Sequence, residues 1–134
     1  DFVAEIHDTH HPLGVTLYYE DQREAAARRA EVFREHRLPK FLGYFERVLA
    51  DNPDSGWLAG DPWTYADLSL FQVVEGLRYA FPHAMEQAET HAPRVTLLHA
   101  RVRERPNIAA YLASERRIPF NEDGICRRYA ELDG

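Results

Sequence analysis

The sequence predicts an all-α fold, a helical bundle. Apolar residues recur at helical spacing in most segments, and no segment shows the apolar–polar alternation of a strand. The clearest case places apolar side chains at i, i+3, i+4, i+7, i+10 and i+11 on one helix face: Leu38, Phe41, Leu42, Phe45, Val48 and Leu49. The chain has 134 residues, which is enough for one domain with a sizeable core.

The first long helical region spans residues 21–49, with one interruption. Residues 21–37 are rich in Ala, Glu and Arg, which are strong helix formers. Pro39 lacks a backbone N–H and its ring clashes with the preceding turn, so we expect a kink or break there. The Asn-Pro-Asp-Ser-Gly run at residues 52–56 predicts the turn that ends this region.

Residues 65–81 form the most apolar segment, and a helix that is apolar on most sides belongs in the centre of a domain. Its start is marked by a capping box, in which the Thr64 hydroxyl and the Asp67 carboxylate each accept from the other's backbone amide. Trp63 and Leu68 occupy the hydrophobic-staple positions on either side. Asp67 could instead be a general base, but the cap accounts for it fully, so we expect it to matter for folding.

Two helices and a tail complete the predicted fold. Val95, Leu98 and Val102 form an apolar stripe that ends near Pro106. A short helix then carries three apolar side chains, Ile108, Tyr111 and Leu112. Residues 118–134 have a mixed composition and are expected to wrap over the surface.

Composition and charge exclude several functional classes. The formal net charge is −6 and the basic residues are scattered, which argues against a nucleic-acid-binding surface. No apolar run approaches the roughly 18 residues of a membrane span. A single cysteine, Cys126, cannot form an internal disulfide and suits a reducing, cytoplasmic compartment. Because the chain starts at Asp1 inside a helical pattern, we expect it to be a piece of a longer protein.

The stretch Gly-Asp-Pro-Trp-Thr-Tyr-Ala-Asp-Leu at residues 60–68 resembles the signature of the C-terminal domain of glutathione transferases. Its flanks are similar as well: Trp-Leu-Ala-Gly at residues 57–60, the helix over residues 38–49, and the closing segments at 94–102 and 106–112. The resemblance covers residues 1–117, and among the classes of this family the pattern looks most like sigma.

This resemblance implies a two-domain enzyme that conjugates glutathione to small electrophiles in detoxification. A thioredoxin-like N-terminal domain, absent from this chain, would bind glutathione and supply the Tyr, Ser or Cys that activates its thiol. Residues 1–134 would provide one wall of the hydrophobic co-substrate pocket and much of a homodimer contact. Glutathione is a co-substrate, so no cofactor is expected, and the isolated domain is expected to be inactive.

The resemblance also suggests binding residues. In sigma-like members an Asp on the first helix of this domain reaches across the dimer to the ammonium of glutathione, and Asp8 matches best by count, with Thr9 as the other candidate. A solvated surface Asp is an equally good interpretation of Asp8. The helical register points four side chains toward the co-substrate pocket: His11, Thr16, Ser69 and Val73. For Ser69 and Val73, core packing is the stronger alternative.

A histidine pair and the single cysteine are the other candidates for chemistry. His7 and His11 are four residues apart, a spacing that suits a pair of metal ligands, but Pro12 and Gly14 follow and no third well-spaced ligand lies nearby. We therefore expect no metal site. Cys126 could be a reactive thiol if neighbouring arginines lower its pKa, although a lone cysteine in a tail is more often incidental.

A second functional class remains open. Helical domains of this family are also appended to translation factors and synthetase assemblies, where they act as non-catalytic docking modules. An enzyme is favoured because the first helix fits the wall of a ligand pocket. Binding of the intact protein to glutathione, or its capture in a translation complex, would separate the two.

Overall fold

The computed structural model describes all residues, 1–134, and confirms the all-α prediction. The α-helices in chain order are α1 (Phe2–Asp8), α2 (Arg23–Val32), α3 (Leu38–Ala50), α4 (Tyr65–Ala80), α5 (Pro82–Glu89), α6 (Pro93–Arg103) and α7 (Pro106–Leu112). Short 3-10 helices lie at Tyr19–Gln22 and Ala130–Leu132. None of the helices has both the length and the apolar character needed to cross a membrane.

The interruption expected at Pro39 takes the form of a π-helical turn. This turn, Phe33–Arg37, joins α2 directly to α3, and Pro39 then lies in the first turn of α3. Proline has no amide hydrogen to donate, and its ring crowds the carbonyl of the preceding turn. The wider π turn therefore lets the chain stay helical on both sides of the proline.

Helix α4 lies at the centre of the bundle, as its sequence predicts. It packs against α5 and α6, and α3 packs against the same two helices. Its inward side chains are fully or almost fully buried: Leu70, Phe71, Val74, Leu77 and Ala80. Aromatic rings from α1 and α3 extend the core, with the Phe2 and Phe41 rings stacked at 4.3 Å between centroids.

The closing helices also follow the sequence pattern. Val95, Leu98 and Val102 of α6 are buried at 1% exposure or less. Helix α7 begins at Pro106 and buries none of its residues completely, so it covers the bundle from outside.

The tail wraps back over the helices, as expected. Tyr129 stacks on Tyr19 near the other end of the chain, with 3.7 Å between ring centroids. The Asp133 carboxylate accepts hydrogen bonds from the backbone amides of His83 at 2.9 Å and Ala84 at 3.1 Å. A residue of the tail thus caps the first turn of α5.

Candidate functional site

The capping residues of α4 form a tight buried unit. The Thr64 amide donates to Asp67 Oδ2 at 2.7 Å, and the Ala66 amide donates to the Thr64 hydroxyl at 3.3 Å. Both halves of the capping box are present. Asp67 Oδ1 accepts a further bond from the Leu58 amide at 2.9 Å, which the sequence pattern did not indicate. The carboxylate is therefore occupied by structural donors, and Trp63 and Leu68 pack against the core beside it.

An apolar groove of about 630 Å³ opens where α1, α3 and the first turns of α4 meet. Ser69 and Val73, two of the predicted pocket residues, line it. Ser69 is exposed and Val73 half-buried. The other main contributors are aromatic or aliphatic: Phe2, Val3, Phe41, Tyr44, Phe45 and Tyr65. Tyr44 and Tyr65 are 54% and 83% exposed, so this groove presents uncovered apolar surface.

A smaller cavity of about 320 Å³, the tail cavity, adjoins the groove. Val3 and Val73 line both spaces, and the tail contributes Phe120, Ile125 and Cys126 to the smaller one. Val73 therefore lies at the junction of the two spaces.

Cys126 lies against α4 at a point where only glycine fits. A Cβ atom at Gly76 would lie well under 3.0 Å from the Cys126 sulfur. Burial raises the pKa of the Cys126 thiol. Burial rather than Arg127 or Arg128 therefore dominates the pKa of Cys126, which favours a packing role over a reactive thiol.

Three histidines in the last turn of α1 and just after it form a second cluster, His7, His10 and His11. The His7 and His11 rings stack at 5.1 Å between centroids, and His10 Nδ1 lies 2.6 Å from His11 Nδ1. His10 Nε2 lies 2.9 Å from the carbonyl oxygen of Ile125 in the tail. Burial lowers the pKa of His10 to about 4 and also lowers the pKa of His11. The three imidazoles are not arranged as a set that could hold a metal ion.

His11 and Thr16 line a different space from Ser69 and Val73. This polar cavity of about 380 Å³ lies between the segment that follows α1 and the tail. Its polar lining comes from both segments: Thr16, Tyr18, Tyr19, Glu20, Asp123, Arg127 and Tyr129. The four predicted pocket residues thus fall into two pairs, one in the apolar groove and one in the polar cavity.

Asp8 ends α1 with its side chain 49% exposed. Its carboxylate lies 3.5 Å from His7 Nδ1. The neighbouring candidate, Thr9, is buried, and its hydroxyl donates to the Ile6 carbonyl at 2.6 Å. Of the two residues, only Asp8 is open to a partner.

The structure also shows a charge cluster that sequence reasoning missed. Glu75 of α4 accepts from His99 at 2.7 Å, Arg103 at 3.0 Å and Arg117 at 3.2 Å. These partners are 24 to 42 residues away in sequence, so spacing along the chain could not reveal them. The only local signal is a glutamate within a very apolar helix.

Comparison with known proteins places this architecture in a family. The family model for the glutathione S-transferase C-terminal domain matches residues 7–115. A glutathione S-transferase of Dirofilaria immitis is 28% identical over 129 residues, which cover 92% of this chain and 56% of that protein. One of Plasmodium yoelii yoelii is 30% identical over 84 residues, 63% of this chain and 38% of that protein. Glutathione S-transferase P 1 of Bufo bufo is 30% identical over 90 residues, 65% of this chain and 41% of that protein.

The chain spans about half of these relatives or less, and the shared part is helical. The family match includes the capping box of α4 and both closing helices, α6 and α7. The chain therefore belongs to the glutathione S-transferase family, as a C-terminal domain of that family.

Proposed function

We propose that this chain is the helical half of a dimeric, cytoplasmic glutathione transferase that conjugates glutathione to small electrophiles. The observation that carries the proposal is the family match over residues 7–115. The uncovered apolar groove supports it, because ligand pockets for small apolar compounds are concave and lined mainly by aromatic and aliphatic side chains.

In this proposal the thiol of glutathione is activated outside residues 1–134, by a Tyr, Ser or Cys of a preceding thioredoxin-like domain. Two features support that division. Cys126 is buried with a raised pKa, and Asp67 is committed to the helix cap. Neither is available as a nucleophile or base.

The helical domain contributes contacts to the co-substrate. Ser69 and Val73 would contact the apolar body of an electrophile in the apolar groove. His11 and Thr16, which line the separate polar cavity, would contact the polar groups of a co-substrate there. Large apolar area with a few polar groups is the usual composition of such pockets.

Asp8 is proposed to bind the ammonium group of glutathione held by the partner subunit. Its exposed carboxylate at the end of α1 supports this role, since a carboxylate–ammonium pair is a strong, orienting hydrogen bond. Asp8→Asn should raise the KM for glutathione severalfold and leave the KM for the electrophile unchanged. Asp54→Asn, an exposed loop substitution, is the matched control.

The test is a rate measurement with glutathione and 1-chloro-2,4-dinitrobenzene. The intact protein should turn over and bind immobilised glutathione, whereas residues 1–134 alone should give no rate above background. Val73→Trp should raise the KM for the electrophile without changing the KM for glutathione. Val32→Trp, at an exposed position outside the groove, should change neither.

Two results would contradict the proposal. One is an intact protein that neither binds nor turns over glutathione. The other is stable capture of that inactive protein in a translation-factor or synthetase complex, which would assign it to the docking class.

A further inference from the structure

The histidine cluster contains a chain of hydrogen bonds whose donors and acceptors can be assigned. The Ile125 carbonyl can only accept, so His10 Nε2 must carry the proton of their 2.9 Å hydrogen bond. Burial lowers the pKa of His10 to about 4, so the ring is neutral near pH 7 and its Nδ1 carries no proton. His10 Nδ1 is therefore an acceptor.

His11 supplies the donor for His10 Nδ1. His10 Nδ1 lies 2.6 Å from His11 Nδ1, so His11 must donate from Nδ1. Burial also lowers the pKa of His11, which keeps it neutral near pH 7. A neutral ring with its proton on Nδ1 has a bare Nε2.

This bare nitrogen is open to a ligand. His11 Nε2 makes no hydrogen bond within the protein, and no buried side-chain nitrogen or oxygen lacks a partner. The atom is therefore accessible, and His11 lines the polar cavity. The residue as a whole is buried, with 8% of its surface exposed.

Arg127 gives the same cavity a positive charge. Its Nε donates to the Gly124 carbonyl at 3.0 Å and its Nη2 faces the Asp123 carbonyl at 3.4 Å, which hold the guanidinium in place. No carboxylate pairs with it, and it lies close enough to His11 to contribute to the lowered pKa of that ring. A positioned guanidinium without a carboxylate partner suits an anionic ligand group.

Other charged and titratable side chains also surround His11 and the polar cavity. His7 and His10 face it from the segment at the end of α1, and Tyr18, Tyr19 and Glu20 line the cavity beyond them. Glu20 lies 3.9 Å from Arg23, which offsets its charge. The tail contributes Tyr129 and the acidic residue Asp123 to the lining.

We infer that the Ile125 carbonyl and His10 fix His11 as its Nδ1–H tautomer, and that His11 Nε2 and the Arg127 guanidinium together bind a small molecule carrying a hydroxyl and a carboxylate. His10 is a positioning residue in this arrangement. The inference deepens the proposed function, on which it rests for the idea that the polar cavity receives the co-substrate. It narrows the co-substrate to anionic, hydroxyl-bearing compounds.

The tautomer is tested by long-range ¹H–¹⁵N NMR of the labelled 134-residue chain near pH 7. His11 should show a protonated Nδ1 and a bare Nε2, and His10 the reverse. His10→Phe and His11→Phe assign the signals, and the exposed His36 serves as an unrestrained reference. A proton found on His11 Nε2 in the unsubstituted chain would overturn the inference, even if His10→Phe fails to fold.

The ligand class is tested on the same sample by titration with 4-hydroxybenzoate, benzoate and phenol. The hydroxybenzoate should bind at least tenfold more tightly than either single-group compound and should shift the His11 Nε2 and Arg127 Nε signals. Arg127→Gln should weaken its binding at least fivefold, whereas Arg128→Gln at the exposed neighbouring position should leave it unchanged. Asp123→Asn should tighten it by removing one negative charge from the lining of the cavity.

Equal affinity for all three probes, or equal effects of Arg127→Gln and Arg128→Gln, would contradict the ligand assignment. Both NMR tests omit glutathione. A failure of the transferase activity in the intact protein is therefore distinguishable from a failure of this site.

Discussion

Asp67 shows how one buried charge can serve folding alone. The residue is 0% exposed, and its two carboxylate oxygens accept from the amides of Thr64 and Leu58. The bond from the Thr64 amide caps the start of α4, and the bond from the Leu58 amide holds the loop that precedes it. Because a buried carboxylate is tolerated only when its hydrogen bonds are made, the three residues are mutually dependent.

Asp67→Ala should therefore lower the free energy of unfolding by about 2–3 kcal/mol, since it removes charge-assisted bonds and leaves buried amides without partners. Urea denaturation followed by circular dichroism measures the change. Asp54→Ala, at an exposed loop position, is the control and should fall within about 0.5 kcal/mol of the unsubstituted chain. A small effect at Asp67 would show that the cap is not needed.

His10 makes the stability depend on pH in a defined direction. Its pKa is about 4 in the folded protein and about 6.5 when unfolded, so between these values the unfolded chain binds the extra proton. The free energy of unfolding should fall as the pH is lowered from 6.5 toward 4, by up to about 1.4 kcal/mol per pH unit for one proton. His11 and His99, whose pKa values are also lowered by burial, act in the same direction.

Denaturation curves across this pH range test the direction. His10→Gln should flatten the dependence relative to the unsubstituted chain, and His36→Gln, at an exposed position, should not. A slope that His10→Gln leaves unaltered would mean that other groups control the acid response.

At the scale of the helix, α4 shows how far local sequence predicts structure. Its start was predictable because Thr64 and Asp67 are three residues apart and their cap needs nothing else. Its central position was predictable because almost every face is apolar. The need for glycine at position 76 was not predictable from the helix alone. It comes from contact with Cys126, which lies 50 residues later in the chain.

Gly76→Ala tests this close approach. Alanine usually stabilises a helix relative to glycine, but here its methyl group would collide with the Cys126 sulfur, so we expect a loss of about 1–3 kcal/mol. Cys126→Ala should restore most of it in the double variant. Gly43→Ala in α3, where the nearest atom is 3.6 Å away, should instead be neutral or stabilising.

The candidate site was only partly predictable, because some of its contacts join residues that lie far apart in the chain. Ser69 and Val73 share a helix face, so their place in one groove follows from the helical period. That His11 and Thr16 lie in another cavity depends on the path of the tail, which has no periodic pattern. The donor and acceptor roles of His10 depend on the Ile125 carbonyl, 115 residues away.

At the scale of the whole molecule, the tail links elements that are far apart in sequence. It bonds to His10, stacks on Tyr19, and caps α5 through Asp133. Arg34 also donates to the Leu132 carbonyl. The tail is therefore part of the folded unit and not an appendage.

Asp133→Ala should uncap α5 and lower the free energy of unfolding by about 1–2 kcal/mol. Hydrogen exchange should quicken first at the amides of His83 and Ala84, which lose their acceptors. Asp123→Ala, at an exposed tail position, should leave the exchange of α5 unaltered. Unchanged protection in Asp133→Ala would show that α5 needs no cap from the tail.

The bond between His10 and Ile125 also bears on how the chain is made. The carbonyl that accepts from His10 Nε2 is made 115 residues after His10 itself. Until Ile125 has been made, the Nε2 hydrogen of His10, just after α1, has no carbonyl to bind, and water must take its place. The segment that follows α1 can therefore complete its hydrogen bonds only after the tail has been made.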